Sequence, residues 1–188
     1  MTEVEIVNQS LMLAGMPKIT NFSDESAEAE LVKALYPKCR DRLLRDYPWS
    51  FALAHFTLSA LDEKSAEPDF PAVSLLPGDS LRVIRLQSRR PYLIRGRKIY
   101  TKDNNETILY ITRIDNSALF DESFVDALIY LIAHEASIHS GRDYNFTSYL
   151  AREYLDRIAA ARNVNAMENI HDLQIKGRDS EFVKARRS

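Results

Sequence analysis

Glycine is scarce in this sequence: there are five among 188 residues, and no two of them stand close together. A backbone that wraps a phosphate group needs several glycines within one short loop, as in the P-loop and the dinucleotide fingerprint. Neither motif is present. We therefore expect no nucleotide chemistry and no bound cofactor.

Cysteine is rarer still, because Cys39 is the only one and no disulfide can form within the chain. It stands on the apolar side of a predicted helix, where a free thiol usually packs as a small buried hydrophobe. A nucleophilic role would need a neighbouring base, and the local sequence supplies none. We expect a structural cysteine and folding in a reducing cytoplasm.

Long apolar runs are also missing. The longest, residues 127–133, is far shorter than the roughly 20 residues that span a bilayer. The first residues alternate acidic and aliphatic side chains, whereas a secretory signal begins with basic residues followed by an apolar run. The sequence predicts no membrane partner and no transmembrane segment.

The chain as a whole lacks an excess of either charge, with 25 Lys and Arg against 27 Asp and Glu and a net charge of −2. Sequence-independent binding of nucleic acid requires a basic excess. Residues 176–188 contain five basic and two acidic residues, a local net charge of +3 that leaves −5 for the first 175. We interpret this as a mildly acidic body followed by a basic tail.

Apolar residues recur at helical spacing in four segments. Thr2 and Glu5 have the spacing of a capping box before the first segment, and Gly15 ends it. Asp121 and Asp143 are suitable N-caps for the last two. The predicted helices cover residues 3–14, 24–46, 121–141 and 144–165.

Pro37 lies inside the second helical segment, where a proline removes one backbone hydrogen bond and collides with the preceding turn. We expect a kink, or a break into two helices, near Tyr36. From residue 49 the period changes to two, and short runs rich in β-branched and aromatic residues alternate with turn sequences as far as residue 114. This pattern predicts a small antiparallel sheet.

These elements predict an α+β fold: a bundle of about four helices with an inserted small antiparallel sheet and an extended C-terminal tail. Residues 1–168 form a single predicted domain, with the β insertion at about 49–114. Residues 169–188 form the basic tail.

The helix that contains His134, Glu135 and His139 superficially resembles a zinc-protease helix. That chemistry needs two histidines four residues apart, whereas a spacing of five turns them about 140° away from each other. We expect structural histidines and no metal site. No pair of carboxylates is distinguished by its position, so no catalytic residue is predicted and the chain is not expected to be an enzyme.

The aromatic residues Tyr47, Trp49, Phe51 and Phe56 form a cluster at the junction of the second helix and the first strand. Aromatic rings close to Arg40, Arg42 and Arg45 are able to stack on nucleic-acid bases. Burial of the rings at the junction of helix and strand is the alternative that we favour.

Several motifs taken together resemble those of the tail tubular protein A family, the adaptor or gatekeeper proteins of short-tailed phages. The first, Leu35–Ala52, contains tyrosine-proline, arginine-aspartate and proline-tryptophan-x-phenylalanine elements in the family's order. Residues 76–83 are similar to its leucine-proline-x-aspartate turn into a strand. Residues 108–113 and 120–133 resemble the strand and the phenylalanine-led helix that follow.

This resemblance implies a structural virion protein, a head-to-tail adaptor that forms a twelve-membered ring under the portal. The implied partners are the portal, the tail nozzle or other tail proteins, further copies of the chain, and genomic DNA that passes through the lumen without specific binding. The implied location is the portal vertex of the virion, after assembly in the host cytoplasm. The alternative is a nucleic-acid-binding or regulatory helical module without enzymatic activity.

Two sets of residues are the candidates for a structural or docking role. The expected structural anchors are Pro37, Tyr47, Trp49, Phe51, Pro77 and Asp79. The tail is expected to be disordered in the free protein and to order on the portal, because its apolar residues would serve no purpose in a solvated linker. The predicted portal-docking residues are Ile170, Leu173, Ile175, Lys176, Arg178, Phe182, Val183, Lys184, Arg186 and Arg187.

Overall fold

A computed structural model of the chain describes the backbone of residues 1–185 and the side chains of residues 1–168. It has an α+β fold with four helices and two three-stranded antiparallel sheets, which confirms the predicted fold class. The chain forms two compact units. The helical unit contains Met1–Arg40 and the chain from Asn116 onward, and the β unit contains Asp41–Asp115.

The helices and strands follow one another in an α–β–α order. The helices are α1 (Glu3–Leu13), α2 (Ala27–Asp46), α3 (Glu122–His139) and α4 (Tyr144–Ala185). The strands are β1 (Leu53–Thr57), β2 (Ala72–Leu75), β3 (Ser80–Leu86), β4 (Leu93–Arg95), β5 (Lys98–Thr101) and β6 (Thr107–Thr112). Short 3₁₀ turns lie at Ser50–Ala52, just before β1, and at Ser117–Leu119, just before α3.

Helix α1 begins and ends as its sequence predicts. The Thr2 hydroxyl accepts a hydrogen bond from the Glu5 amide at 3.2 Å, and the Glu5 carboxylate accepts one from the Thr2 amide at 2.7 Å. This reciprocal pair is the predicted capping box. At the other end Gly15 is left-handed, with φ 68°, and Arg142 donates to its carbonyl and to that of Ala14. Arg142 therefore supplies hydrogen-bond donors to the two carbonyls that directly follow the last residue of α1.

Helices α3 and α4 also use the predicted caps. The Asp121 carboxylate accepts from the Ser123 amide at 2.8 Å, and the Asp143 carboxylate accepts from the Phe146 amide at 3.0 Å. Gly141, at φ 68°, follows the end of α3. Helix α3 packs against both α1 and α4. The buried side chains of α1, α3 and α4 include Ile6, Val7, Leu11, Phe124, Leu128, Ile132, Leu150 and Ile158.

Helix α2 departs from the prediction at its start and at Pro37. Ser26, and not Ser23, provides the cap, because its hydroxyl accepts from the Ala29 amide at 3.2 Å. Asp24 instead accepts from the backbone of the loop before it. The helix continues through Pro37 without the predicted break. Pro37 is exposed, so the carbonyl that loses its intrahelical partner faces water and the cost stays local.

Helix α4 runs to Ala185, beyond the predicted end near residue 165. No proline occurs between 144 and 185, and the one glycine, Gly177, lowers helix propensity by only about 1 kcal/mol. None of the helices in the part of the chain that the structure describes is long and apolar enough to cross a membrane.

The β unit contains two sheets where the sequence predicted one. Sheet A has the order β1-β6-β3 and sheet B the order β2-β5-β4, with all pairs antiparallel. Strand β2 was not predicted. The two sheets share a buried core of Leu58, Leu86, Ile99, Ile108 and Tyr110.

Candidate interaction surfaces

Three members of the predicted aromatic cluster, Tyr47, Trp49 and Phe51, pack together at the end of helix α2, whereas Phe56 is 39% exposed. Trp49 has no exposed surface, and its indole nitrogen donates to the Leu43 carbonyl at 3.0 Å. The Tyr47 ring meets it edge-on with centroids 4.9 Å apart, and the Phe51 ring stacks at 6.1 Å. Carbonyls in the last turn of a helix have no intrahelical donor. The indole supplies one, so Trp49 is not available to stack on a base.

The turn that contains Pro77 and Asp79 is fastened by an arginine from another strand. Arg97 donates to the carbonyls of Leu76 and Pro77, at 3.1 Å and 2.6 Å. The Ser80 amide donates to the Pro77 carbonyl at 3.1 Å, which closes the turn. Arg97 lies outside the quoted motif, and only the fold brings it here.

Asp79 is exposed, but its carboxylate is engaged in hydrogen bonds within the β unit. It accepts hydrogen bonds from the hydroxyls of Thr112, at 2.5 Å, and Tyr110, at 3.4 Å, while its carbonyl accepts from the Arg113 amide at 2.8 Å. Burial raises the pKa of the Tyr110 hydroxyl, and the negative charge of Asp79 raises it further. Asp79 therefore ties the turn before β3 to the end of β6.

The last turns of α2 are also bound to the β unit by charge. Arg45 donates to the Leu81 carbonyl at 2.7 Å, at the start of β3. Arg113 donates to the Asp41 carboxylate at 2.8 Å, just after β6. Both pairs are partly exposed, so each contributes little alone. Together they attach the last turns of α2, from Asp41 onward, to the strands within the β unit.

The remaining predicted residues lie apart from this junction. Pro37 is exposed in the middle of α2 and belongs to the helical unit, whereas the other five anchors belong to the β unit. The predicted portal-docking side chains, from Ile170 to Arg187, lie outside the residues whose side chains the structure describes. Their docking role and the expected disorder of the tail remain predictions.

Candidate catalytic groups do not converge. Cys39 is buried, as predicted. His139 is exposed and His134 half-buried on α3. Within residues 1–168 no group of three or more His, Cys, Asp or Glu side chains is arranged to hold a metal ion.

The helical unit has an open cleft of about 960 Å³ between α1, the start of α3 and Val164 of α4. Four carboxylates line it, and three of them, those of Glu5, Asp121 and Asp126, have hydrogen-bond or ion-pair partners. Glu5 is part of the capping box, which lowers its pKa through the hydrogen bonds from Thr2, and Asp121 caps α3. Asp126 lies 3.5 Å from the Arg157 guanidinium. Three of the four carboxylates of the cleft are therefore used within the fold.

Helix α4 exposes several large apolar side chains. Tyr144 is 82% exposed, Met167 71% and Leu155 61%. Exposed polar residues such as Arg152 and Asp156 separate them, so no continuous apolar stripe is formed. Isolated apolar residues of this kind are ordinary on a surface, but they add contact area when a partner covers the helix.

A basic segment in the β unit escaped the sequence analysis, and the expectation of a basic excess confined to the tail is wrong. Residues 81–102 contain no Asp or Glu. Their eight basic residues are Arg82, Arg85, Arg89, Arg90, Arg95, Arg97, Lys98 and Lys102. A count of charge in a sliding window would have found them. They were overlooked because apolar strand residues separate them.

Replacement of Trp49 tests whether its burial at the end of α2 stabilises the fold. We expect Trp49→Ala to lower the free energy of unfolding by about 3–5 kcal/mol, since it removes a large buried side chain and leaves a cavity. Urea unfolding followed by circular dichroism measures this. Tyr144→Ala is the matched control, because an aromatic ring that is 82% exposed should change stability by less than about 0.5 kcal/mol. Equal effects of the two substitutions would contradict the assignment.

Replacement of Asp79 tests its charge. Asp79→Asn keeps the shape of the side chain and removes the negative charge, so the pKa of Tyr110 should fall but stay above the ordinary tyrosine value, because burial persists. Titration by NMR of ¹³Cζ-labelled tyrosine, with Tyr110→Phe for assignment, measures the change. Asp69→Asn, in the loop 62–71, is the control. An unchanged Tyr110 pKa in Asp79→Asn would contradict the contact.

Comparison of the sequence with family models and with curated proteins identifies no relative. No model of a known protein family matches the chain, and no curated protein is significantly similar to it in sequence. Inference about function therefore rests on the quoted motifs and on the geometry of the two units.

Proposed function

We propose that the chain is a structural virion protein, a head-to-tail adaptor whose copies form a ring between the portal and the tail. The ring would surround the passage for genomic DNA, and the protein would reside at the portal vertex after assembly in the host cytoplasm. Enzymatic activity is not part of this proposal.

The observation that carries the proposal is the structural use of the two central motifs. The proline-tryptophan-x-phenylalanine element places Trp49 on the last turn of α2, and the leucine-proline-x-aspartate element makes the turn held by Arg97 and Asp79. The first motif thus determines how the chain leaves the last turn of α2, and the second determines how β3 is attached to β6. Because these motifs determine local architecture, they support a resemblance to the tail tubular protein A family in architecture. That resemblance is the basis of the adaptor proposal.

The surface of the helical unit supports assembly with other chains. The cleft beside α1 and the apolar side chains on α4 provide separate contact areas. A ring requires two different faces on each copy, because every subunit meets its neighbours head to tail. Surfaces on several elements suit this requirement better than one apolar patch, which would favour a closed dimer.

We expect ring formation to depend on the portal. The exposed apolar residues of α4 are interrupted by charges, so the contact between two free copies should be weak. Multi-angle light scattering of the purified chain at micromolar concentration should give the mass of a monomer. Electron microscopy after addition of the portal encoded in the same genome should show a ring of twelve copies. A stable ring without portal would contradict the dependence, and no density on the portal would contradict the adaptor role.

The tail provides a second test. A chain truncated after Met167 keeps the buried residues of α4, including Asn165, so its melting temperature should stay unchanged. We expect it to lose binding to the portal in a pull-down assay. A full-length variant with Lys184, Arg186 and Arg187 replaced by serine separates the contribution of charge from that of chain length. Full binding by the truncated chain would contradict the docking role.

A further inference from the structure

We propose that the β unit carries a phosphate-binding surface for nucleic acid, made by Arg82, Arg85, Arg89 and Lys102 and called here the basic edge. It lies entirely within the β unit. The inference does not rest on the adaptor role, because the basic edge would bind DNA whether or not the chain forms a ring.

The basic edge follows strand β3 and the turns at its far end. Strand β3 is an edge strand of sheet A. Arg82 pairs with Ile111 and Arg85 with Leu109, and residues paired across strands point to the same face. The neighbours Val83 and Leu86 belong to the opposite face and pack in or against the buried core. Arg82 and Arg85 therefore share the face of sheet A opposite that core, with Cα atoms about 10 Å apart for an extended strand. Arg85 is exposed on this face, whereas Arg82 is half-buried beside the buried Ile111.

Arg89 and Lys102 extend this surface beyond the strand. Arg89 lies in the turn after β3, and Lys102 in the connection from β5 to β6. An ion pair between Arg90 and Asp103 joins these two segments, so both turns lie at the same end of the unit. Arg89 and Lys102 are exposed there.

The four cations have no carboxylate partner among residues 1–168, in contrast to their neighbours. Arg95 pairs with Glu67 at 2.7 Å, and Lys98 pairs with Glu63 at 2.7 Å. Together with Arg90 and Asp103, these pairs neutralise three of the eight basic residues. The Nε atom of Arg82 is buried without a hydrogen-bond partner in this part of the chain. The charge that remains is concentrated on the basic edge.

The polar neighbours of the basic edge favour a phosphate backbone over a protein partner. The same face of sheet A presents His55, which is exposed, and the hydroxyls of Thr57 and Thr107, which lie 3.1 Å apart. Hydroxyl and guanidinium donors are typical of contacts to phosphate. A protein interface would be centred on large apolar or aromatic side chains, and this face exposes none.

Charged residues on an edge strand also prevent sheets from pairing edge to edge. That role accounts for Arg82 and Arg85 but not for Arg89 and Lys102, which lie in turns. Arg89 moreover adopts a left-handed backbone, with φ 58°, where glycine or asparagine would be less strained. Strained residues of this kind concentrate at binding sites.

Binding of a fluorescein-labelled duplex of 24 base pairs tests the proposal, with full-length chain and fluorescence anisotropy. At about 50 mM salt, Arg85→Glu with Lys102→Glu should raise the dissociation constant at least about tenfold and reduce the dependence of log Kd on log salt by about 2, since each phosphate contact contributes about 0.9. The matched control is Lys33→Glu with Arg152→Glu, which alters exposed cations of the helical unit by the same total charge and should change Kd less than about threefold.

Arg89→Gly is a second variant, and we expect it to fold normally, because glycine adopts the left-handed backbone of this position without strain. Its Kd should rise about threefold while its melting temperature stays equal or increases. Absence of DNA binding by the unaltered chain at about 50 mM salt would overturn the proposal. Equal loss in the helical-unit control would also overturn it, because general electrostatics would then suffice. Competition by polyglutamate as effective as by DNA would overturn it in favour of an acidic protein partner.

Discussion

The end of helix α2 is the constraint on which the β unit depends. Its last carbonyls need donors, and the Trp49 indole supplies one to Leu43 while Arg45 and Asp41 reach out to the strands. A hydrogen bond inside a dry aromatic cluster is worth more than an exposed ion pair, since no water competes for the donor. The tryptophan therefore holds the chain where it leaves the helix, and the Arg45 and Arg113 contacts attach residues 41–46 to β3 and to the segment after β6.

Charge is unevenly shared between the two units. Residues 41–115 contain 12 basic and 10 acidic residues, so the β unit has a net charge of +2 within a chain of −2. In the adaptor that we propose, attraction of DNA by the basic edge would be compatible with passage of DNA through the ring. Contacts to phosphate alone are independent of sequence and are weakened by salt, so a duplex can slide along them.

The sequence predicted best the features that depend on neighbours along the chain. The capping box at Thr2, the Asp121 and Asp143 caps and the stop at Gly15 need only a few residues each, and the structure contains all of them. Strand β2 escaped prediction because it is short and flanked by prolines, and only its pairing with β5 makes it a strand. The contact of Arg97 with the Pro77 turn spans 20 residues and has no local signal.

The candidate surfaces divide in the same way: a feature with a local sequence signal was predicted, and a feature that depends on long-range pairing was not. The burial of Trp49 followed from the change between helical and alternating periods. The basic edge, in contrast, is built from two residues of β3 that share a face and from two residues of turns that the Arg90–Asp103 ion pair brings to one end of the unit. Its charge was visible in the sequence, but its arrangement was not.

The ion pair between Asp41 and Arg113, at 2.8 Å, joins the first residues of the β unit to its last. The chain thus enters and leaves this unit at one point, and the 41–115 segment forms a closed loop with respect to the rest of the protein. Segments whose ends meet in this way can be inserted, removed or exchanged with little strain on the host fold, because the gap that they leave is short. The segment thus holds its own two ends together, but helix α2 continues across its first boundary, so any exchange of the β module would have to preserve the last turns of that helix.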